Sequence, residues 1–592
     1  MHTQAPNGYV RVGSLEQIKA EGRVLVHGRH GPVLVVYEDG CVYALDNRCP
    51  HMGFPLDRGT VEDGILTCHW HHARFDVASG CAFDLWADDV PTCPIQVRDG
   101  EVWIRPVFEN TDPVGHWRRR LEDGLAHNLG LVMAKSIRGL LAARVAPLEI
   151  LRQVAIFGVQ QRDGWGTGMT VLTALGNLLP LLPREETYLA LWQGARRVAT
   201  DCEGEAPRRA RAALTSMPQS ATLARWYRQW NAVRHREAAE RTLLTAVAAK
   251  NDPAALADLL FSAETDRFFA DTGHSFDFIN KAFECLDLIG WEYAAAVLPS
   301  VVGPMTEARG AEESTPWRRP VDLIALLEAV FEKLPQWFDA GRGRGPWDHH
   351  ARLAHALLDD DPVAIVGALE AAVRGGAEPS DLGRALVYAA ALRLARFGTA
   401  NEHADWETAH HAFTYCNAVH RALQRIGNAP DSPAVRAVFH GAMAIYLARY
   451  LNVPPARLPG EDGRSLDDLP TDAQALLAEL LGNFDRQRQV DAVGRLVSRY
   501  LLLEHPIESL ITTLAAALMR EDAGFHSYQM FEAGVRQARE WGSTAPARHI
   551  LVAVGRYLAA HSPTERATYQ TADIARRLLS GQTLHEMGSK PR

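Results

Sequence analysis

The feature that most constrains this chain is a change of hydrophobic period near residue 107. Before it the apolar runs are short and strand-like: VLVVY, CVYAL, GILTCHW and EVWIRP. Three Asp-Gly pairs punctuate them, Asp39-Gly40, Asp63-Gly64 and Asp99-Gly100. Both residues tolerate positive φ, so Asp-Gly between apolar runs predicts tight hairpins. Residues 1–107 therefore read as a small antiparallel β domain. After residue 107 apolar residues recur three and four apart to the end, as in LAHNLGLVMAKSIRGLLAARV and PAVRAVFHGAMAIYLARYL. Gly375-Gly376 and Pro454-Pro455 mark helix ends. The fold class is multidomain: the β domain, then a large His-rich all-helical domain over 108–592, a bundle or a solenoid-like stack. No signature repeats at a period of roughly 33 to 47 residues. Loops are predicted at 304–319, 340–348 and 455–472, with subdivision near 250 and at 455–472.

Composition narrows the function. Of 592 residues, 47% are hydrophobic and 22% charged, the balance of a soluble globular chain. A net charge of −9 and segments such as PRRARAAL and GHWRRRLEDG, read as solvated helix faces, exclude a nucleic-acid binder. No apolar run reaches the roughly 18 residues of a membrane span, and MHTQAPNGYVRVGS is no secretory signal. The expected compartment is the cytoplasm. Five of the eight cysteines, Cys41, Cys49, Cys68, Cys81 and Cys93, fall in the first hundred residues. Cys202, Cys285 and Cys416 are scattered singly, so the pattern is a metal site plus core filler rather than a disulfide framework.

The metal site is written in two arms, Cys49-Pro50-His51 and Cys68-His69-Trp70-His71, with sixteen residues between His51 and Cys68. Zinc fingers keep like ligands together; here each arm mixes one thiolate and one imidazole. In a Rieske centre two thiolates hold one iron and two imidazoles the other. The arms continue as HMGFPLDRG and HHARFDVASG. Over about the first hundred residues this resembles the Rieske domains of ferredoxins and aromatic-ring oxygenases. Respiratory Rieske proteins usually add a cysteine to each loop and join the two by a disulfide. Here Phe54 follows Gly53, and the second arm has no second cysteine. The resemblance implies a [2Fe–2S] cluster on Cys49, His51, Cys68 and His71 that transfers single electrons. Its potential would fall in the roughly −150 to +300 mV range of such centres. His69 and His72 flank the ligands without joining them.

Seventeen of the 24 histidines follow residue 107. Among them are two groups, His349, His350 and His355, and His403, His410, His411 and His420, and the isolated His274, His440, His505 and His526. Glu407 stands three and four residues before His410 and His411, on one helix face. A ferritin-like di-iron site needs two Glu-x-x-His pairs, and this is the one found. The Asp/Glu-x-x-His-x₄-His form of ring oxygenases is not met, because Asp348 stands two residues before His350. In helical texture and in its buried-looking histidines the region is faintly similar to the questin oxidase family, which is helical and metal-dependent. Lys281, in the apolar helix SFDFINKAFECLDLIG, lies seven residues after His274; it either pairs with Asp277 or Glu284 or joins the metal set. The candidates for a second, non-haem iron are His274, Lys281, His350, His355, Glu407, His410, His411, His440 and His526.

No flavin or nicotinamide fingerprint is present, and DGWGTGMT lacks nucleotide-loop spacing. A separate reductase or ferredoxin must therefore supply electrons. Two readings follow. In one, an oxidoreductase relays electrons from the Rieske cluster to a helical-domain metal for O2-dependent oxidation of a small organic substrate. In the other, a Rieske electron carrier or redox sensor is fused to a helical protein-interaction platform. Oligomeric state is not legible.

Overall fold

The computed structural model describes residues 8–28, 31–108, 112–250, 252–399, 401–461, 463, 465–582 and 584. They form two compact units, Met1–Ala146 with Gln570–Arg592, and Pro147–Tyr569.

The described residues of the first unit hold nine strands: β1 (Val10–Ser14), β2 (Arg23–Gly28), β3 (Gly31–Glu38), β4 (Cys41–Asp46), β5 (Thr60–Glu62), β6 (Ile65–Thr67), β7 (Arg74–Asp76), β8 (Ile95–Arg98) and β9 (Glu101–Ile104). They make three antiparallel sheets, ordered β1-β9-β8, β2-β3-β4 and β5-β6-β7. Each Asp-Gly pair sits where the sequence puts it, closing the Glu38↔Cys41, Glu62↔Ile65 and Arg98↔Glu101 hairpins. The turn residues Asp39, Asp63 and Asp99, and the glycines after them, all have positive φ. Strand β3 explains the continuous run VLVVY. Its Leu34 and Val36 enter one core with Leu45, Leu66 and Phe75, while Val33 and Val35 enter a second with Val102 and Ile104. A strand buried on both faces reads as unbroken apolar sequence. A short helix, Leu15–Glu21, interrupts the predicted all-β segment; Ser14 caps it and Ile18 anchors it in the second core. After the strands, helices Pro113–Ala126 and Gly130–Ala142 form a packed hairpin in the same unit. Asp112 caps the first, with Pro113 in its first turn.

The second unit is helical, with no strand among its described residues. Three helices matter most: His274–Ile289, His403–Arg425 and Phe525–Trp541. The first and third run the same way, joined turn by turn through buried polar side chains. Gln529 donates to Asp277, Lys281 bridges Glu284 at 2.8 Å and Glu532 at 2.5 Å, and Arg536 meets Glu284 at 2.5 Å. The predicted loop at 304–319 is corrected: helices Val302–Glu307 and Thr315–Arg318 occupy much of it. Pro304 and Pro316 lie in their first turns, where a missing N–H costs nothing. The described residues of 342–348 and 455–472 are free of helix.

Candidate metal centres

In the first unit the two Cys/His arms share one backbone design. The Cys49 N–H donates to the Phe54 carbonyl at 2.8 Å, and the Gly53 N–H returns to the Cys49 carbonyl at 2.8 Å. The second arm repeats this: Cys68 N–H to Ala73 O at 2.8 Å, His72 N–H to Cys68 O at 2.9 Å. The turn closes on a left-handed residue each time, Gly53 at φ +80° and His72 at φ +63°. Glycine adopts that conformation without strain; His72 adopts it at a cost and faces solvent. This arrangement accounts for His72 standing beside the ligand set.

The arms bring the four sequence-predicted side chains together. The Cys49 thiol hydrogen-bonds the Cys68 sulfur, which pushes the Cys49 thiol up and draws Cys68 down to about 6. Backbone amides of Trp70 and His71 also favour the Cys68 thiolate. The His51 and His71 rings stand 4.9 Å apart and nearly perpendicular. Burial, with His71 and Lys135 nearby, holds His51 down to about 4 and so neutral. Its Nδ1 is buried with no hydrogen-bond partner. Two thiols, two imidazoles and an orphaned nitrogen make a donor set that fits a [2Fe–2S] cluster. His71 is exposed, whereas His51 lies under Trp86, ring centroids 4.6 Å apart.

The second unit assembles another group from three distant segments. The Nε2 atom of His526 lies 3.3 Å from that of His274 and 3.1 Å from that of His411. The far nitrogens fix the tautomers. His274 Nδ1 lies 3.0 Å from the Asp271 carbonyl, and His526 Nδ1 lies 3.3 Å from the Glu407 carboxylate. A carbonyl or carboxylate only accepts, so an Nδ1 that donates to it leaves the Nε2 of a neutral ring with a lone pair. Two lone pairs facing each other at 3.3 Å repel unless a cation lies between them. Nitrogens cis to one another on a metal at about 2.1 Å stand roughly 3 Å apart, which is the spacing found. Burial and the neighbouring imidazoles hold His411 and His526 down to about 3, in the neutral form a metal requires. The segment before His274 is strained: Phe269, Asp271 and Thr272 all have positive φ, and it is Asp271 and Thr272 that contact His274 Nδ1.

Of the other candidates, Glu407 stands behind His526 and 3.7 Å from His403. His410 is fully buried beside the group, 4.9 Å from His526 between centroids, with both ring nitrogens unpartnered. The remaining four are not brought here. Lys281 lies between Glu284 and Glu532, the first of which the sequence named as a partner. His350 is bound to Asp381 at 2.8 Å, His355 faces Tyr388, and His440 is enclosed by Phe268 and Phe331. A cavity of about 820 Å³ adjoins the group, lined by Glu407 and His526 with Trp406, Phe525, Tyr557 and His561. Sequence reasoning missed Tyr557 and His561 because nothing in the local pattern links residue 561 to residue 407.

Comparison with known proteins agrees with the first centre. Residues 8–94 match the Rieske [2Fe-2S] domain family. Over 86 residues the chain is 34% identical to the ferredoxin component of the naphthalene 1,2-dioxygenase system of Pseudomonas putida, covering 14% of this chain and 83% of that protein. Over 76 residues it is 33% identical to human apoptosis-inducing factor 3, which is 13% of either protein. Over 179 residues it is 29% identical to the toluene-4-sulfonate monooxygenase system iron-sulfur subunit TsaM1 of Comamonas testosteroni, covering 26% of this chain and 51% of the relative.

Through this N-terminal segment the chain belongs to the Rieske [2Fe–2S] family, with relatives among the ferredoxin components of dioxygenase systems. The match does not place the helical remainder. No described helix is long and apolar enough to cross a membrane.

Proposed function

We propose that this protein is a Rieske-fed, non-haem metal-dependent oxygenase. Cys49, His51, Cys68 and His71 hold the [2Fe–2S] cluster, and His274, His411 and His526 hold a second metal, iron. When bound, these groups supply single-electron storage and O2 reduction. The protein's own residues do the rest. Asp271 and Glu407 hold the His274 and His526 rings by Nδ1, leaving Nε2 free to bind. Trp406, Phe525 and Tyr557 line a cavity roomy enough for a small organic substrate. Electrons come from a separate reductase or ferredoxin docking on the exposed His71 side.

The observation that carries this reading is the convergence of three Nε2 atoms, two of them on rings whose Nδ1 faces a carbonyl or a carboxylate. The fused Rieske module, whose relatives include components of dioxygenase and monooxygenase systems, supports a redox metal over zinc. The test is iron content of the full-length protein after anaerobic loading. His411→Ala should lose the iron beyond the cluster and keep the Rieske electron-spin signal; His355→Ala should lose nothing. Equal iron in both variants would leave the helical unit as an interaction platform and the chain as an electron carrier or redox sensor.

A further inference from the structure

The helical hairpin that follows the matched Rieske segment grips the His51 side of the cluster arms, and nothing in the family match covers it. Lys135, on the second hairpin helix, is 2% exposed. Its Nζ donates to the Pro50 carbonyl at 2.8 Å, inside the Cys49-Pro50-His51 arm, and to Asp88 at 2.5 Å. Arg120, on the first helix, meets the other Asp88 oxygen at 2.9 Å. It also donates to the carbonyls of Leu85 at 2.7 Å and Ala87 at 3.0 Å. Those carbonyls flank Trp86, whose ring packs on His51. Two cations thus hold the two segments that enclose one imidazole, with Asp88 as the shared anchor.

Among the side chains shielded from solvent the cations outnumber the carboxylate. Asp88 is buried, which pushes its carboxyl up, yet Lys135 and Arg120 hold it below its ordinary value and so ionised. One carboxylate faces two cations, with Asp123 as a further, half-exposed partner of Arg120 at 3.0 Å. A buried ammonium beside the first arm stabilises the extra negative charge of a reduced cluster, because Coulomb interactions are weakly screened there. A lysine this buried is costly unless it is paired and useful.

We propose that Lys135 is a positioning residue of the redox centre: anchored by Asp88 and Arg120, it fixes the Cys49–His51 arm and raises the reduction potential of the cluster. The inference rests on the assignment of Cys49 and His51 as cluster ligands, and extends it to a hairpin outside the matched domain.

The test is a redox titration of the full-length protein, followed by the Rieske electron-spin signal at one fixed pH. Lys135→Gln keeps an N–H donor and removes the charge; its potential should fall below wild type. Asp88→Asn removes the opposing charge; its potential should rise. Opposite shifts with the signal retained are what charge predicts and loosening of the fold does not. Unchanged potentials, or shifts of one sign in both variants, would overturn the proposal. Should Lys135→Gln fail to retain its cluster, Asp88→Asn decides alone: a higher potential supports the role, an unchanged or lower one rejects it. Failure of the ligand assignment itself would be seen separately, as a wild-type Rieske signal that survives Cys68→Ser.

Discussion

The two units place their histidines by opposite logics. In the β unit Cys49, His51, Cys68 and His71 fall within 23 positions and lie on two arms of one backbone design. In the helical unit His274, His411 and His526 come from three helices and stand more than a hundred residues apart in sequence. Hairpin tips put the two Cys/His arms side by side through local turns, so the spacing motif already shows which side chains meet. Three histidines from separate helices meet only through tertiary packing, and they carry no spacing signature. What they do carry is a set of supporting contacts: the strained turn at Asp271, the carboxylate of Glu407 and the buried ladder from Asp277 to Arg536.

Experiments can break this contrast. Cys68→Ser should abolish the Rieske electron-spin signal and the colour outright; survival of either would remove Cys68 from the cluster. Next in size, His526→Ala or His274→Ala should empty the helical site and leave the cluster intact, as read by iron content and spin signal together. Lys281→Met should leave Glu284 and Glu532 buried without their lysine, costing about 3–5 kcal/mol in denaturant unfolding. Stability within about 1 kcal/mol of wild type would mean Arg536 suffices alone. Glu407→Gln should weaken iron affinity by about 10–100-fold without abolishing binding, the effect of removing a carboxylate behind a ligating histidine. Unaltered affinity would make Glu407 a cavity residue only.

The smallest expected effect depends on pH. Glu264 is buried, and that burial holds its carboxyl up at about 8, above the ordinary 4.5. A raised carboxyl contributes stability that is fully present below about 4.5 and is lost as pH rises through about 8. Glu264→Gln should therefore gain stability over wild type progressively across that interval, read as Tm at matched pH values. A constant difference from acid to alkaline pH would contradict this.

Much of the β unit was legible. Asp-Gly turns fixed three hairpins, and mixed Cys/His arms named the donor set, because both signals are local. The short Leu15–Glu21 helix was missed; only the Ser14 cap and Ile18 signal it. In the helical unit the texture was readable, and His274, Glu407, His410, His411 and His526 were among the candidates. Sequence had no means to separate them from His350, His355, His440 and Lys281, since apolar surroundings are the same for a ligand and for a core residue. The role of Glu407 was likewise hidden. Three residues before His410 it reads as a helical ligand pair, but the packing gives it to His526 on another helix. Lys135 and Asp88 were invisible as a pair, 47 residues apart.

The most direct measurement is the ratio of iron to acid-labile sulfide in the full-length protein, loaded anaerobically with Fe²⁺ and freed of loose metal. A Rieske cluster with a filled helical site gives about three irons for two sulfides. A ratio of about one to one, with a full Rieske signal, would contradict the second metal centre.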